Sequence, residues 1–377
     1  MRAALRRFAI LLALAAALAF AVVAAAAPPP VAAEAFYVQN AGTGEVLAAG
    51  GERERLPMAS ITKLMTSIVA LERASLDDVA TISARTASIG ESTINLRPGE
   101  RVSLRDLIRA ALIQSANDAA NAIAAYVGKG SVGRFVALMN RRARELGLTD
   151  THFVNPDGLD AAGHVSSARD VTKLARVAMN KPFIRETVRL KTATAAGRTL
   201  HTWNDLLSRF PNLIGVKTGH TNGAGWSQVA AARGGGVTVY ATVLGGETRE
   251  GRNADLAELL AWGLSRYRTV WAIDTARTYA TVRTAYGREP VRLVAARPGL
   301  RVIHVERPLL ERIVLPVEVA LPVRKGQRLG EVQVLDRGRV IARSPLVAAV
   351  PVDGPGTLGR VQFYAGRTLD HLGGLFS

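Results

Sequence analysis

Near Tyr267 the chain changes texture, and that change divides it into two differently built parts. Before it, apolar residues recur at the spacing of amphipathic helices. Ile61, Leu64, Ile68 and Leu71 do so over residues 60–74, and similar stripes run over 104–115, 118–127, 132–146 and 170–179. Residues three and four apart share one face of a helix. These stretches follow a strand pair, 36–40 and 45–49, around Gly42-Thr43-Gly44. They precede two apolar strands, 226–232 and 237–244, joined by Gly234-Gly235-Gly236 and followed by a helix over 256–264. That order predicts an α+β unit, with helices packed on an antiparallel sheet. After Tyr267 short runs rich in Val and Ile (291–295, 314–320, 331–335 and 340–342) alternate with Gly and Pro. They predict a small all-β domain. The expected boundaries are 28–268 and 275–350, and 377 residues is ample for two folded units.

The two ends read differently from the middle. Arg2, Arg6 and Arg7 precede an unbroken apolar run from Phe8 to Ala27, and Pro28-Pro29-Pro30 closes it. This is the pattern of an export signal over residues 1–27, so the mature chain is expected outside the cytoplasm, in a periplasm or on the outer face of the membrane. At the other end, over 355–377, Val361, Ala365, Leu369, Leu372 and Phe376 share one helical face beside Arg360 and Arg367. An interfacial helix in peripheral contact with membrane fits that face; Gly366, Gly373 and Gly374 fit a frayed tail.

The chain has no cysteine, which excludes a thiol nucleophile, disulfides and thiolate metal sites. The net charge is +17, but no basic run with interleaved aromatics occurs, so a spread surface charge rather than nucleic-acid binding is expected. His152, His164, His201, His220, His304 and His371 show no metal-binding spacing. No metal or organic cofactor is expected.

Three short motifs carry the chemistry. They are Ser60-Ile61-Thr62-Lys63, Ser115-Ala116-Asn117 and Lys217-Thr218-Gly219, in that order and far apart. Each alone is weak; Ser115, for instance, would serve equally as a helix cap. Together they are the motif set of penicillin-binding proteins and class A β-lactamases. Lys63, one helical turn beyond Ser60, is placed to take its proton. An ordinary lysine is too basic for that, so burial and a second cation, Lys217, are needed to lower its pKa. Ser115 is expected to relay a proton to the leaving amine, and Asn117 to hold Lys63 and the substrate amide. Lys217, Thr218 and Gly219 should form a sheet edge on which a peptide can lie as an added strand. Backbone N–H groups of Ser60 and His220 are candidates for the oxyanion hole.

On these residues the chain resembles the serine-type D-alanyl-D-alanine carboxypeptidases, low-molecular-mass penicillin-binding proteins of the penicillin-binding protein 5 type. The likeness extends to residues 59–66, 113–119 and 215–221, to Thr151-His152-Phe153 and Gly158-Leu159-Asp160, and to Gly251-Arg252. It spans roughly residues 35–350. The resemblance implies a β-lactamase/transpeptidase-like catalytic domain followed by a β domain. It implies release of the terminal D-alanine from peptidoglycan pentapeptides through a Ser60 acyl-enzyme, inhibition by β-lactams, and a substrate-carboxylate contact at Arg252. Two rival readings are a class A β-lactamase and a catalytically silent wall-scaffolding paralogue. Residues 155–170 lack the glutamate that a class A β-lactamase carries between its second and third motifs. The intact Ser60, Lys63, Ser115 and Lys217 disfavour a silent scaffold.

Overall fold

The computed structural model describes residues 27–373 and a short strand, Ala15–Ala17. Apart from that strand and Ala27, the expected leader lies outside the described residues, as do residues 374–377. One compact unit ends at Tyr267 and the next begins at Arg268.

The first unit is built on an antiparallel sheet of five strands: β1 (Ala35–Asn40), β2 (Val46–Gly50), β3 (Leu213–Thr221), β4 (Gly225–Gly234) and β5 (Val237–Gly246). Their order is β2-β1-β5-β4-β3, so β3, which carries Lys217, is an edge strand. β4 turns into β5 through Gly235 and Gly236, both at positive φ, as a tight hairpin requires. Side chains alternate across the sheet. Val229 and Ala231 join the core on one face, whereas Ala230 and Ala232 join a second core on the other.

Helices cover both faces. α1 (Lys63–Arg73), α2 (Leu104–Ile113), α3 (Asn117–Val127), α4 (Val132–Glu145) and α5 (Ala168–Met179) lie on one side. α6 (Arg249–Ser265) packs Leu256, Leu259 and Leu260 on the other. α1 is the central helix: every residue from Lys63 to Ala70 is buried. A helix buried all round is normally apolar all round, so a lysine at its first position is the anomaly that marks the site.

Two element boundaries depart from the sequence pattern. Ser60 lies not in the α-helix but in a single 3₁₀ turn, Ala59–Thr62, before it. The predicted helix at 256–264 is the C-terminal half of the longer α6, whose first turns carry Arg249, Glu250, Arg252 and Asn253 and so show no apolar period. Two small strand pairs, Val79–Thr81 with Arg101–Ser103 and Thr192–Ala195 with Arg198–His201, are too short to have shown a pattern.

In the second unit, β6 (Thr278–Thr284), β7 (Val291–Ala295), β8 (Leu310–Val314), β9 (Arg328–Asp336) and β10 (Arg339–Ala348) form one sheet, with Ala15–Ala17 beside β8 and Glu318–Val319 beside β6. Val282, Leu293, Val332 and Leu346 fill its core. The apolar run 314–320 is not one strand. Pro316 cannot donate to a ladder, so the chain leaves β8 at Val314 and pairs again only at Glu318. A last helix, α7 (Thr357–Gly373), sets Phe363 edge-on to Tyr286 with ring centroids 5.4 Å apart. Among the described residues no helix is long and apolar enough to cross a membrane.

Candidate active site

Ser60 sits where a sharp turn meets the buried helix. Ala59 has φ +48°, and the turn it makes puts Ser60 at the cleft and Lys63 at the head of α1. Two glycines let other backbone press on this turn. A Cβ on Gly219 would lie 2.8 Å from the Met58 carbonyl oxygen, and one on Gly158 only 2.0 Å from that of Ala59.

Lys63 Nζ lies 2.7 Å from Ser60 Oγ, 2.7 Å from Asn117 Oδ1 and 2.6 Å from the Asp157 carbonyl oxygen. The last two are acceptors only. A neutral amine spends its two N–H groups on them, and its lone pair then points at the Ser60 hydroxyl. Burial favours that neutral state and pushes the Lys63 pKa down from 10.5 to about 8, against the pull of Asp157, Glu91 and Asp118. The acceptors are themselves fixed. Asn117 Nδ2 donates to the Gly90 carbonyl at 3.2 Å, which sets the orientation of its amide. Asn121 Nδ2 donates to Asp157 Oδ2 and to the Asn117 carbonyl.

Lys217 is also fully enclosed. Its Nζ donates to Ser115 Oγ and to the Thr218 carbonyl, both at 2.9 Å. Burial first, then Lys63 and Arg252, hold its pKa well below the ordinary lysine value. Ser115 follows the end of α2 at φ +66°, a left-handed conformation costing a non-glycine residue roughly 1–3 kcal/mol. That conformation takes the chain out of the helical path at Ser115, whose hydroxyl accepts from Lys217.

Thr218, Gly219 and His220 line the same cleft, which encloses about 280 Å³. His220 stacks on its cross-strand partner Trp226, ring centroids 3.9 Å apart. Arg252 reaches in from α6 with its guanidinium 5.6 Å from the Trp226 ring centre, and burial draws its pKa down to about 10. All nine residues expected from the sequence therefore meet: Ser60, Ser115, Thr218, Gly219, His220 and Arg252 on the cleft wall, and Lys63, Asn117 and Lys217 bonded behind it. Among the described residues no cluster of His, Asp or Glu is arranged to hold a metal ion.

Several participants were not legible in sequence. Glu91, Ser92, Trp203 and Arg249 also line the cleft. Asp205 binds Arg249 through both carboxylate oxygens and accepts from Asn253 Nδ2, so it braces the turn that carries Arg252. His164 accepts the Val154 N–H at Nδ1, so its Nε2 carries the proton and donates to Thr62 at 2.7 Å. Burial drives its pKa to about 4, so it stays neutral beneath the nucleophile turn. None of these had a motif around it; Asp157 alone had a signal, the turn chemistry of Asn155-Pro156 before it.

A serine hydroxyl on a buried lysine of lowered pKa, beside a second buried lysine on a sheet edge, defines a serine enzyme of the acyl-transfer class. The comparisons with known proteins give that class its family. The family model described as D-alanyl-D-alanine carboxypeptidase matches residues 22–248. The D-alanyl-D-alanine carboxypeptidase DacD of Salmonella typhimurium is 35% identical over 343 residues, covering 85% of this chain and 87% of its own. Among solved structures, penicillin binding protein 5 of Haemophilus influenzae superposes with a TM-score of 0.63 at 28% identity, over 87% of this chain and 100% of its own. The DacD carboxypeptidase of Francisella tularensis gives the same TM-score at 25% identity, over 87% and 95%. The chain belongs to the D-alanyl-D-alanine carboxypeptidase family.

Proposed function

We propose that this chain hydrolyses the terminal D-alanyl-D-alanine bond of peptidoglycan stem peptides through an acyl-enzyme on Ser60. The observation that carries the reading is the 2.7 Å contact between Ser60 Oγ and a lysine amine whose two other partners are fixed acceptors. Neutral Lys63 takes the hydroxyl proton as Oγ attacks the carbonyl of the penultimate D-alanine. Backbone N–H groups of Ser60 and His220 receive the oxyanion. Ser115, bonded to Lys217, passes its proton to the departing amine and takes up the one that Lys63 removed from Ser60, which leaves both Ser115 and Lys63 as they began. Arg252 and Thr218 hold the terminal carboxylate, Asn117 the substrate amide, and the Gly219 backbone the peptide chain. Water then attacks the acyl-enzyme, with Lys63 as base again. β-Lactams enter as mimics of the scissile amide and remain on Ser60.

Export through the N-terminal leader, and work on the cell wall outside the cytoplasm, complete the reading. Leu358, Val361 and Tyr364 of α7 are exposed, which supports a peripheral membrane contact for the tail.

The test is release of free D-alanine from a pentapeptide by the purified chain, with Ser60→Ala alongside. Release by the parent and none by the variant is expected, and a fluorescent penicillin should label only the parent. An active Ser60→Ala protein would refute the assignment. The pH dependence provides a separate check. Acylation needs neutral Lys63, so below a pKa of about 8 its rate should fall about tenfold per pH unit. A penicillin-acylation rate flat from pH 6 to 9 would contradict the role of Lys63.

A further inference from the structure

Residues 151–166 wrap the turn that carries Ser60 and bond to the chain before, within and after the nucleophile motif. Before it, Leu56 and Ser166 exchange backbone hydrogen bonds of 2.8 and 2.9 Å. Behind it, Lys63 Nζ donates to the Asp157 carbonyl and Thr66 Oγ1 to the Pro156 carbonyl, each at 2.6 Å. Within the motif, His164 Nε2 meets Thr62 Oγ1 at 2.7 Å. Thr62 holds the N-cap position of α1 yet does not cap it. A threonine caps from an extended backbone, whereas Thr62 has helical angles, φ −43° and ψ −37°. The side chain is wholly buried, and its hydroxyl goes to His164 instead.

The imidazole is fixed from both of its nitrogens. Nδ1 accepts the Val154 N–H at 3.0 Å, so the proton sits on Nε2 and is directed at Thr62. The residue is 3% exposed, and the Phe153 ring stands edge-on to it with centroids 5.9 Å apart. Phe153 is in turn tied to α4. Its N–H donates to Asn140 Oδ1 at 2.9 Å, and its carbonyl accepts from Asn140 Nδ2 at 2.8 Å. A rigid line of contacts thus runs from α4 through Phe153 and His164 to the residue between Ile61 and Lys63.

We propose that His164 is a positioning residue for acylation: through its bond to Thr62 it sets the spacing of Ser60 against Lys63. The inference rests on the reading of Ser60 as the acylated residue. Thr62 precedes Lys63 directly and follows Ser60 by two residues, so a rotation of its backbone changes the 2.7 Å separation of Ser60 Oγ and Lys63 Nζ. Transfer of the hydroxyl proton depends on that separation. The cleft wall formed by Thr218, Gly219 and Arg252 does not include Thr62. Loss of the bond therefore acts on the acylation step and not on the noncovalent binding that precedes it.

The experiment follows penicillin acylation of the full chain over a range of penicillin concentrations, which separates the limiting acylation rate from the half-saturating concentration. His164→Leu should lower the limiting rate about 10- to 100-fold, as a small misplacement of reacting groups does, and leave the half-saturating concentration within about twofold of the parent. His164→Gln, whose amide offers an acceptor and a donor on neighbouring atoms, should recover most of the rate. Thr62→Val deletes the same bond from its other end and should match His164→Leu; it also serves if the leucine variant does not fold. The double variant should be no slower than either single one. Asn140→Ala loosens Phe153 without touching the bond and should keep the parent rate. A parent-like rate in Thr62→Val, additive losses in the double variant, no recovery in His164→Gln, or an equal loss in Asn140→Ala would overturn the inference alone. A parent that penicillin does not label would overturn the reading of Ser60 and the inference with it.

Discussion

Lys63→Ala should slow acylation of Ser60 by about two to four orders of magnitude, the range for losing a positioned general base. Stability should move far less, because two effects oppose. A lysine whose pKa falls from 10.5 unfolded to about 8 folded destabilises the fold by roughly 3 kcal/mol at pH 7. The sign follows from proton uptake: below pH 8 both states are charged and the full cost applies, and it fades as pH rises toward 10.5. Removing the amine relieves that cost. It also leaves Asn117 Oδ1 and the Asp157 carbonyl without their donor, at about 1–3 kcal/mol each, and opens a cavity at the head of α1. A melting temperature within several degrees of the parent, together with the loss of penicillin labelling, is the expected pair of results. Labelling within tenfold of the parent rate would exclude Lys63 as the base.

The second large effect is predicted at Gly158, outside the three motifs. Its φ is +91°, and an added Cβ would meet the Ala59 carbonyl oxygen at 2.0 Å, its carbon at 2.3 Å and Ser60 N at 2.9 Å. All three are backbone atoms, so no side chain can swing aside; the nucleophile turn itself must move. Conformational strain and overpacking each cost about 1–3 kcal/mol. Gly158→Ala should therefore destabilise the first unit by about 2–6 kcal/mol and cut acylation about 100-fold or more, since a displacement of about 1 Å is enough for that. Gly44 is the control. It has φ +74° but nothing within 4 Å of an added Cβ, so Gly44→Ala should carry the strain alone and leave acylation as in the parent. Urea unfolding and penicillin labelling of both variants decide the matter. Equal behaviour of the two would show that the contact with Ala59 is irrelevant.

Much of this protein follows from local sequence order. The helical stripes, the Gly235–Gly236 hairpin and the break at Tyr267 are set by neighbours a few residues apart, and they define an α+β unit followed by a β-rich one. The three motifs singled out Ser60, Lys63 and Lys217, which the structure brings to one cleft, because the proposed chemistry restricts which residue types can do that work. Other features exist only once distant segments meet. Asp157 supplies its carbonyl to Lys63 across 94 positions, and Lys217 reaches Ser115 across 102. Asp205 braces Arg249 from 44 positions away. Such contacts leave no periodic trace, and their partners are ordinary polar residues in sequence. The low pKa of Lys63 belongs to the same class, since desolvation comes from the whole packed core around α1 and from no residue near it in the chain.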